Sequence, residues 1–126
     1  MALTFFPEPG MILVCDFSGY VAPEMIKTRP VVVISPRRHD VSLPAATSII
    51  VPISTKPPLP QRPWQYRISG GKYRGIPECW AKADLVAHVS IQRLDRLRVA
   101  SEYVLQSLDQ ADLAGVRLAL RFATGT

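Results

Sequence analysis

The sequence predicts a mainly β fold with one helix, a small closed or nearly closed antiparallel barrel followed by a carboxy-terminal helix. Six or seven short segments are β-branched or alternate between apolar and polar residues, and loops separate them. A pattern of helical spacing follows them near the carboxy terminus, and every proline falls at or before Pro77. Because open sheet edges invite aggregation, we expect short strands of this kind to close on themselves.

The first two strands lie in the amino-terminal part of the chain. Gly10 turns an extended, proline-containing lead-in into the apolar run 11–17. The run 30–35, Pro-Val-Val-Val-Ile-Ser, indicates a strand that is buried on both faces. Since proline cannot donate to a sheet ladder, we expect this strand to begin at Pro30, which places Arg29 immediately before its first residue.

The third strand and a stiff loop follow. The apolar run 48–53 is the third predicted strand, and it delivers the hydroxyls of Ser54 and Thr55 at its end. Residues 56–63 contain four prolines, a density that excludes a helix or a central strand and predicts a rigid surface loop. Residues 64–68 alternate, which is typical of a half-exposed strand.

The rest of the chain completes the sheet and adds the helix. Residues 78–86 predict one or two further strands, and the basic segment 93–98 predicts a short turn that enters a final strand. Ser107 with Gln110 is a capping-box signature. Apolar side chains then recur at helical spacing over three to four turns: Leu108, Leu113, Val116 and Leu120. At 126 residues, we interpret 1–126 as a single domain.

Composition excludes several classes of protein. No apolar run approaches the roughly 20 residues that span a bilayer, and the amino terminus lacks the basic region of a secretory signal. We therefore expect a cytoplasmic protein without a membrane segment. Cys15 and Cys79 are 64 positions apart without metal-ligand spacing, which favours two reduced, buried thiols. His39 and His88 are equally isolated, so neither a metal nor another cofactor is expected.

The positive charge is concentrated in the middle of the chain. Residues 27–98 contain 13 Lys/Arg and 4 Asp/Glu, a net charge of +9, whereas the whole chain carries +5. Eleven of the 15 basic residues are arginines, whose forked guanidinium suits bidentate phosphate contacts. The pattern fits an electrostatic footprint for nucleic acid, and it equally fits a basic protein whose arginines are simply solvated.

Arg29 with Ser54 or Thr55 is the constellation that could carry chemistry. An arginine at the start of one core strand and hydroxyls at the end of the next can form a phosphate site. Arginine stabilises a developing pentavalent phosphate, and RNA carries its own nucleophile in the 2′-hydroxyl. Such a site could cleave RNA without a metal. The alternative is that Arg29 only caps a strand and Ser54 only ends one.

These residues resemble the PemK/MazF family of toxin endoribonucleases of bacterial toxin–antitoxin pairs. The resemblance covers roughly residues 10–120, and its most specific part is Arg-Pro-Val-Val-Val-Ile-Ser at 29–35. Supporting motifs are Gly10-Met11-Ile12 with Asp16-Phe17, Val51-Pro52-Ile53-Ser54-Thr55, and Ala83-Asp84-Leu85-Val86 with Arg93-Leu94. The chain departs from the family at Ser54, where threonine is more usual, and in its longer proline-rich loop.

The resemblance implies an SH3-like barrel, a homodimer, and metal-independent, sequence-selective cleavage of single-stranded RNA. Cleavage would leave a 2′,3′-cyclic phosphate and a 5′-hydroxyl. By position, Arg29 corresponds to the family's catalytic arginine, and Ser54 or Thr55 to its catalytic hydroxyl. The resemblance also implies a cognate antitoxin, which we expect to be acidic because the middle of this chain is basic. Further candidates for RNA contacts are Lys27, Thr28, Arg37, Arg38, Lys56 and Trp64.

Two other functions remain open at this point. A barrel that has lost activity would bind RNA and cleave nothing. A non-catalytic toxin would instead bind a protein target such as DNA gyrase, because gyrase-poisoning toxins share this barrel, and it would be expected to depend on its carboxy-terminal segment rather than on Arg29.

Overall fold

The computed structural model describes residues 3–23, 27–37 and 41–126, which form eight β-strands and one α-helix. The strands are β1 (Ile12–Asp16), β2 (Thr28–Val33), β3 (Thr47–Ser54), β4 (Gln65–Ile68), β5 (Cys79–Lys82), β6 (Ala87–Ser90), β7 (Leu94–Val99) and β8 (Glu102–Val104). The helix is α1 (Gln110–Thr124). The predicted fold class, a mainly antiparallel β fold with a carboxy-terminal helix, is therefore confirmed.

The strands form one antiparallel sheet that curls towards a barrel without closing. Its order is β4-β5-β3-β2-β1-β7-β8, and β6 pairs with β3 beside β5. The five strands β7-β1-β2-β3-β6 form a ring that returns to β7 only through the 3₁₀ turn Ile91–Arg93. No pairing joins β6 to β7 within the described ranges, so the expected closure of the barrel is corrected to an open seam at this turn.

Two hydrophobic cores lie on opposite faces of the sheet. Val31, Val32 and Val33 are fully buried, which confirms that β2 is covered on both faces. One core fills the inside of the curled sheet, and its largest fully buried members are Leu13, Phe17, Val31, Val33, Ile50 and Leu94. The other lies between the sheet and α1, and includes Ile12, Val32, Val51, Ile53, Ile68, Leu97, Val116 and Ala119. Alternate residues of the central strands therefore serve different cores.

Strand β2 begins two residues before the predicted start at Pro30. The backbone NH of Phe17 donates to the Lys27 carbonyl, and that of Val33 donates to the Met11 carbonyl. Odd-numbered residues of β2 therefore hydrogen-bond to β1, and the nitrogen of Pro30 points to the opposite edge. That opposite edge faces β3, and pairing with β3 begins only at Val31, one residue after Pro30. The missing NH of Pro30 therefore costs no hydrogen bond with either β1 or β3.

The basic segment 93–98 was predicted as a short turn that enters a final strand. The turn is shorter than expected, because the 3₁₀ segment Ile91–Arg93 already ends at Arg93, and one more strand, β8, follows. Most of segment 93–98 is strand β7, which pairs with β1 over three residues and with β8. Leu94 and Leu97 supply one side chain to each core. The arginine between them is accommodated because the Arg96 guanidinium lies 3.8 Å from the ring centre of Tyr103.

Helix α1 begins two residues later than the capping box predicted. The N-cap is Asp109, whose Oδ1 accepts from the backbone NH of Asp112 at 2.8 Å. Ser107 instead forms an isolated bridge with Met11, which ties the approach to the helix onto the first strand. Gly125 ends the helix in the left-handed region, with φ of 74°. Among the described helices, none combines the length and apolar character needed to cross a bilayer.

A buried polar cluster fastens the start of α1 to the sheet. Asp112 accepts from the hydroxyls of Tyr66 and Tyr73 at 2.6 and 2.5 Å, and from Lys72 Nζ at 2.9 Å. Burial alone would raise the pKa of Asp112, but the hydrogen bonds from the two tyrosines and Lys72 outweigh it and lower the pKa. The Tyr66 ring also packs on the helix backbone, where a Cβ at Gly115 would lie 2.0 Å from Tyr66 Cε1.

Candidate active site

An open cleft of about 250 Å³ lies at the end of the sheet where β2 begins and β3 ends. Its lining residues are Pro23, Arg29, Ile53, Ser54, Thr55, Lys56, Lys82 and Leu85. The structure thus brings together all three residues that were predicted to be catalytic, and adds Lys56 from the predicted RNA contacts.

Strand register explains why Arg29 and Ser54 meet. Val31 of β2 lies opposite Pro52 of β3, and the two strands are antiparallel. Continuing that register by two residues sets Arg29 opposite Ser54 with both side chains on the same face of the sheet. On its other edge Arg29 pairs with Cys15 of β1, so the arginine backbone is held in the sheet while its side chain is exposed.

The two hydroxyls of the cleft differ in what holds them. Ser54 is the last residue of β3, and its Oγ accepts from the backbone NH of Lys56 at 3.2 Å. This bond orients the Ser54 oxygen and leaves its hydrogen available for donation to a ligand. Thr55 follows in an exposed turn. Both hydroxyls border the cleft, so either one can meet a phosphate held by Arg29.

Lys82 is a cleft residue that sequence reasoning missed. Strand β5 pairs with β3 so that Trp80 lies opposite Ser54. Lys82 is two residues further along β5 and therefore shares the face of Trp80, whereas Ala81 between them is fully buried in the other direction. The alternation in Trp-Ala-Lys was visible in the sequence, but its meaning required the pairing of β5 with β3.

The remaining predicted RNA contacts divide between the cleft end and elsewhere. Lys27 and Thr28 directly precede Arg29 and are exposed at the same end of the sheet, although they do not line the cleft. Trp64 is partly exposed just before β4, and its carbonyl accepts from Ala83 NH at 3.0 Å. Its indole is not part of the cleft lining.

Arg37, one of the predicted RNA contacts, does not line the cleft. It follows the far end of β2, and the four residue steps from Arg29 to Val33 alone span about 13 Å. There the Arg37 guanidinium lies 5.5 Å from the ring centre of Phe6. The sequence suggested proximity because these basic residues are close along the chain, but an extended strand separates them. Arg38 and His39 lie outside the described residues.

The chemistry available in the cleft is anion recognition. Three cationic side chains, Arg29, Lys56 and Lys82, surround two hydroxyl donors, and the described lining contains no carboxylate. This combination can hold a phosphate and stabilise added negative charge on it. Within residues 3–23, 27–37 and 41–126, no group of three His, Cys, Asp or Glu side chains is arranged to hold a metal ion.

Neither cysteine is suited to act as a nucleophile. Cys15 and Cys79 are both buried, as predicted, and burial raises the pKa of each thiol to about 11. At neutral pH both remain protonated members of the two cores. Neither of them lines the cleft.

Comparison with known proteins gives one family and several similar folds. A family model described as PemK-like, MazF-like toxin of type II toxin–antitoxin systems matches residues 8–123. An uncharacterized protein of Escherichia coli strain K12, YifN, is 31% identical over 95% of this chain and 93% of its own length. MazF from Deinococcus radiodurans superimposes with a TM-score of 0.70 at 18% identity, covering 97% of this chain and 99% of that one. A mycobacterial endoribonuclease in complex with its cognate antitoxin gives a TM-score of 0.66 at 18% identity, covering 94% and 95%.

Proposed function

The chain belongs to the PemK-like, MazF-like toxin family of type II toxin–antitoxin systems, and we propose that it is an endoribonuclease that cleaves single-stranded RNA in its Arg29 cleft. The observation that carries the proposal is the convergence of Arg29, two hydroxyls and two lysines at one end of the sheet. A phosphodiester is the ligand that suits three cations with neutral donors between them.

In the proposed reaction the RNA supplies its own nucleophile. The 2′-hydroxyl loses its proton and attacks the adjacent phosphorus, the bond to the 5′-oxygen breaks, and that oxygen takes up a proton. The products are a 2′,3′-cyclic phosphate and a 5′-hydroxyl, and no metal takes part. Arg29 stabilises the charge that builds up on the pentavalent phosphate, and the hydroxyl of Ser54 or Thr55 donates to a non-bridging oxygen.

We infer that the flanking phosphates are bound by the cations around the reacting one. Lys56 and Lys82 line the cleft, and Lys27 with Thr28 extends the polar surface beyond it. Sequence selectivity requires contacts to bases, for which the partly exposed Trp64 remains a candidate.

We propose two protein partners, a second copy of this chain and an acidic cognate antitoxin, in the cytoplasm. One of the similar solved structures is a mycobacterial endoribonuclease in complex with its cognate antitoxin, and another is MazE-MazF from Deinococcus radiodurans. The outer face of α1 leaves Leu118 and Phe122 more than half exposed, beside Arg117 and Arg121. The antitoxin interaction should weaken as salt rises, since charge pairing would dominate it. Salt-independent binding would contradict this, and sedimentation of the free protein as a monomer would contradict the homodimer.

The experiment that tests the reaction uses purified protein, a single-stranded RNA with all short sequences represented, and EDTA. Wild type should produce fragments that end in cyclic phosphate, and Arg29→Ala should reduce the rate by a factor of about 10² or more. The matched control is Arg74→Ala, because Arg74 is also exposed but is paired with Glu102 and does not line the cleft. Equal rates for Arg29→Ala and wild type would overturn the assignment. RNA binding without cleavage would favour an inactive RNA-binding protein.

A further inference from the structure

The loop that joins β3 to β4 is rigid and borders the cleft. Residues 56–63, here called the proline loop, contain four prolines, and its first residue, Lys56, lines the cleft. Each proline fixes one backbone dihedral, so the loop has few conformations available to it. Leu59 near its middle is 94% exposed. A fully exposed apolar side chain on a stiffened loop beside a basic cleft has no evident role in folding.

Both limbs of the proline loop are anchored by side-chain hydrogen bonds. The outgoing limb is held by Ser54 Oγ, which accepts from Lys56 NH at 3.2 Å. On the returning limb, Gln61 Oε1 accepts from the indole Nε1 of Trp80 at 3.2 Å, and Gln61 Nε2 donates to the Gln65 carbonyl at 3.3 Å. The Gln65 side chain also holds this limb, because its Oε1 accepts a hydrogen bond from the backbone NH of Arg62 at 2.9 Å.

The two anchors converge on one cross-strand pair. Trp80 lies directly opposite Ser54 in the β3–β5 ladder, and it is buried with 7% of its surface exposed. The returning limb is therefore bound to the residue that lies beside the candidate catalytic hydroxyl, and the outgoing limb is bound to that hydroxyl itself. Any shift of the loop relative to the cleft would have to break one of these bonds.

We propose that the proline loop is the element that selects the RNA sequence, with Gln61 as the residue that positions it. This inference rests on the proposed nuclease function. Lys56, the first residue of the anchored loop, lines the cleft together with Arg29, and the apolar surface around Leu59 contacts the face of a base whose phosphate lies in the cleft. Because the anchored loop does not move to admit a base of the wrong size, such a base keeps the scissile phosphate out of its reactive position. Gln61 acts through Trp80 and does not touch the reacting atoms.

The test compares cut-site sequences in a randomised single-stranded RNA library with EDTA present. Gln61→Ala removes the anchor from an exposed position, so the protein should fold and total cleavage should stay within about threefold. Preference for the favoured base over the next at the selected positions should fall at least about fivefold, the ratio expected for loss of the Trp80 hydrogen bond alone. Trp80→Phe breaks the same bond from the other side, so the double variant should be no less selective than Gln61→Ala alone. Leu59→Ala should also reduce the preference.

Gln92→Ala is the matched control, because the Gln92 side chain likewise fastens a loop, donating to the Pro44 carbonyl at 3.0 Å, but does not line the cleft. It should leave the cut-site pattern unchanged even where it lowers the melting temperature. A wild-type protein that cuts selectively, with a Gln61→Ala variant that keeps the same selectivity, would overturn this inference alone. A wild-type protein that cuts nothing in the library would overturn the proposed function and this inference with it.

Discussion

Replacing Asp112 by alanine should destabilise the fold strongly, although this residue lies outside the cleft. Asp112 is 6% exposed and receives hydrogen bonds from two tyrosine hydroxyls and one ammonium group. Its removal leaves the hydroxyls of Tyr66 and Tyr73 without an acceptor in a partly buried environment. It also releases the start of α1 from β4, the strand against which the helix packs.

The size of the loss follows from the number and kind of these bonds. Each bond from a tyrosine to a buried carboxylate contributes about 1.5–3 kcal/mol. The ion pair with Lys72 adds little because the lysine side chain is 40% exposed and solvent screens it. Tyr73 keeps one partner, since its oxygen accepts from Asp109 NH at 2.9 Å. We therefore expect Asp112→Ala to lower the free energy of unfolding by about 3–5 kcal/mol.

Urea denaturation followed by circular dichroism measures this loss, with Asp109→Ala as the control. Asp109 is the exposed N-cap of the same helix, and its loss should cost about 1 kcal/mol. Because the folded pKa of Asp112 lies below its unfolded value, the carboxylate stabilises the fold above about pH 4, and this contribution is lost as pH falls through the folded pKa. Asp112→Asn should therefore show a weaker acid dependence than wild type. An Asp112→Ala variant no less stable than Asp109→Ala would refute the reasoning.

Three further predictions concern packing, the thiols and the cleft. Gly115→Ala should destabilise by about 1–3 kcal/mol despite the better helix propensity of alanine, because its Cβ would meet the Tyr66 ring at 2.0 Å; an unchanged urea midpoint would contradict this. Cys15 and Cys79, with pKa values raised to about 11 by burial, should react with a thiol reagent at pH 8 only after denaturation; rapid labelling of the folded protein would show that they are accessible. Lys82→Ala should reduce the slope of log affinity for single-stranded RNA against log salt by about 0.7, as measured by filter binding; an unchanged slope would remove Lys82 from the phosphate contacts.

Local patterns in the sequence predicted the central strands. Both faces of β2 are buried, and an uninterrupted Val/Ile run is typical of a strand that is buried on both faces. The start of that strand was misplaced because a proline on an unpaired edge looks the same in sequence as a proline at a strand end. The N-cap was misplaced for a related reason. Ser107 and Asp109 both suit a cap, and only the bridge of Ser107 to the first strand decides between them.

The residues of the candidate site were predictable where they lie on strands that are consecutive in the sequence. They were not predictable where they lie on strands that are far apart in the sequence. Arg29 and Ser54 belong to sequential strands that pair, which is the commonest arrangement in antiparallel sheets. Lys82 enters through a strand that pairs with β3 only after a long excursion of the chain. Arg37 does not line the cleft, because closeness along an extended strand is not closeness in space. The anchoring of the loop by Gln61 depends on a long-range side-chain bond that no local pattern encodes.

Strand β3 has a consequence for how the molecule comes apart. It contributes Ile50 to the core inside the curled sheet and Val51 and Ile53 to the core beneath α1, and it is paired along both edges. Neither core can melt while the other persists, so the chain should unfold as one cooperative unit. The amide protons of β3 should exchange only through global opening. The candidate cleft, which lies at the end of β3, would then stay intact until the entire fold is lost.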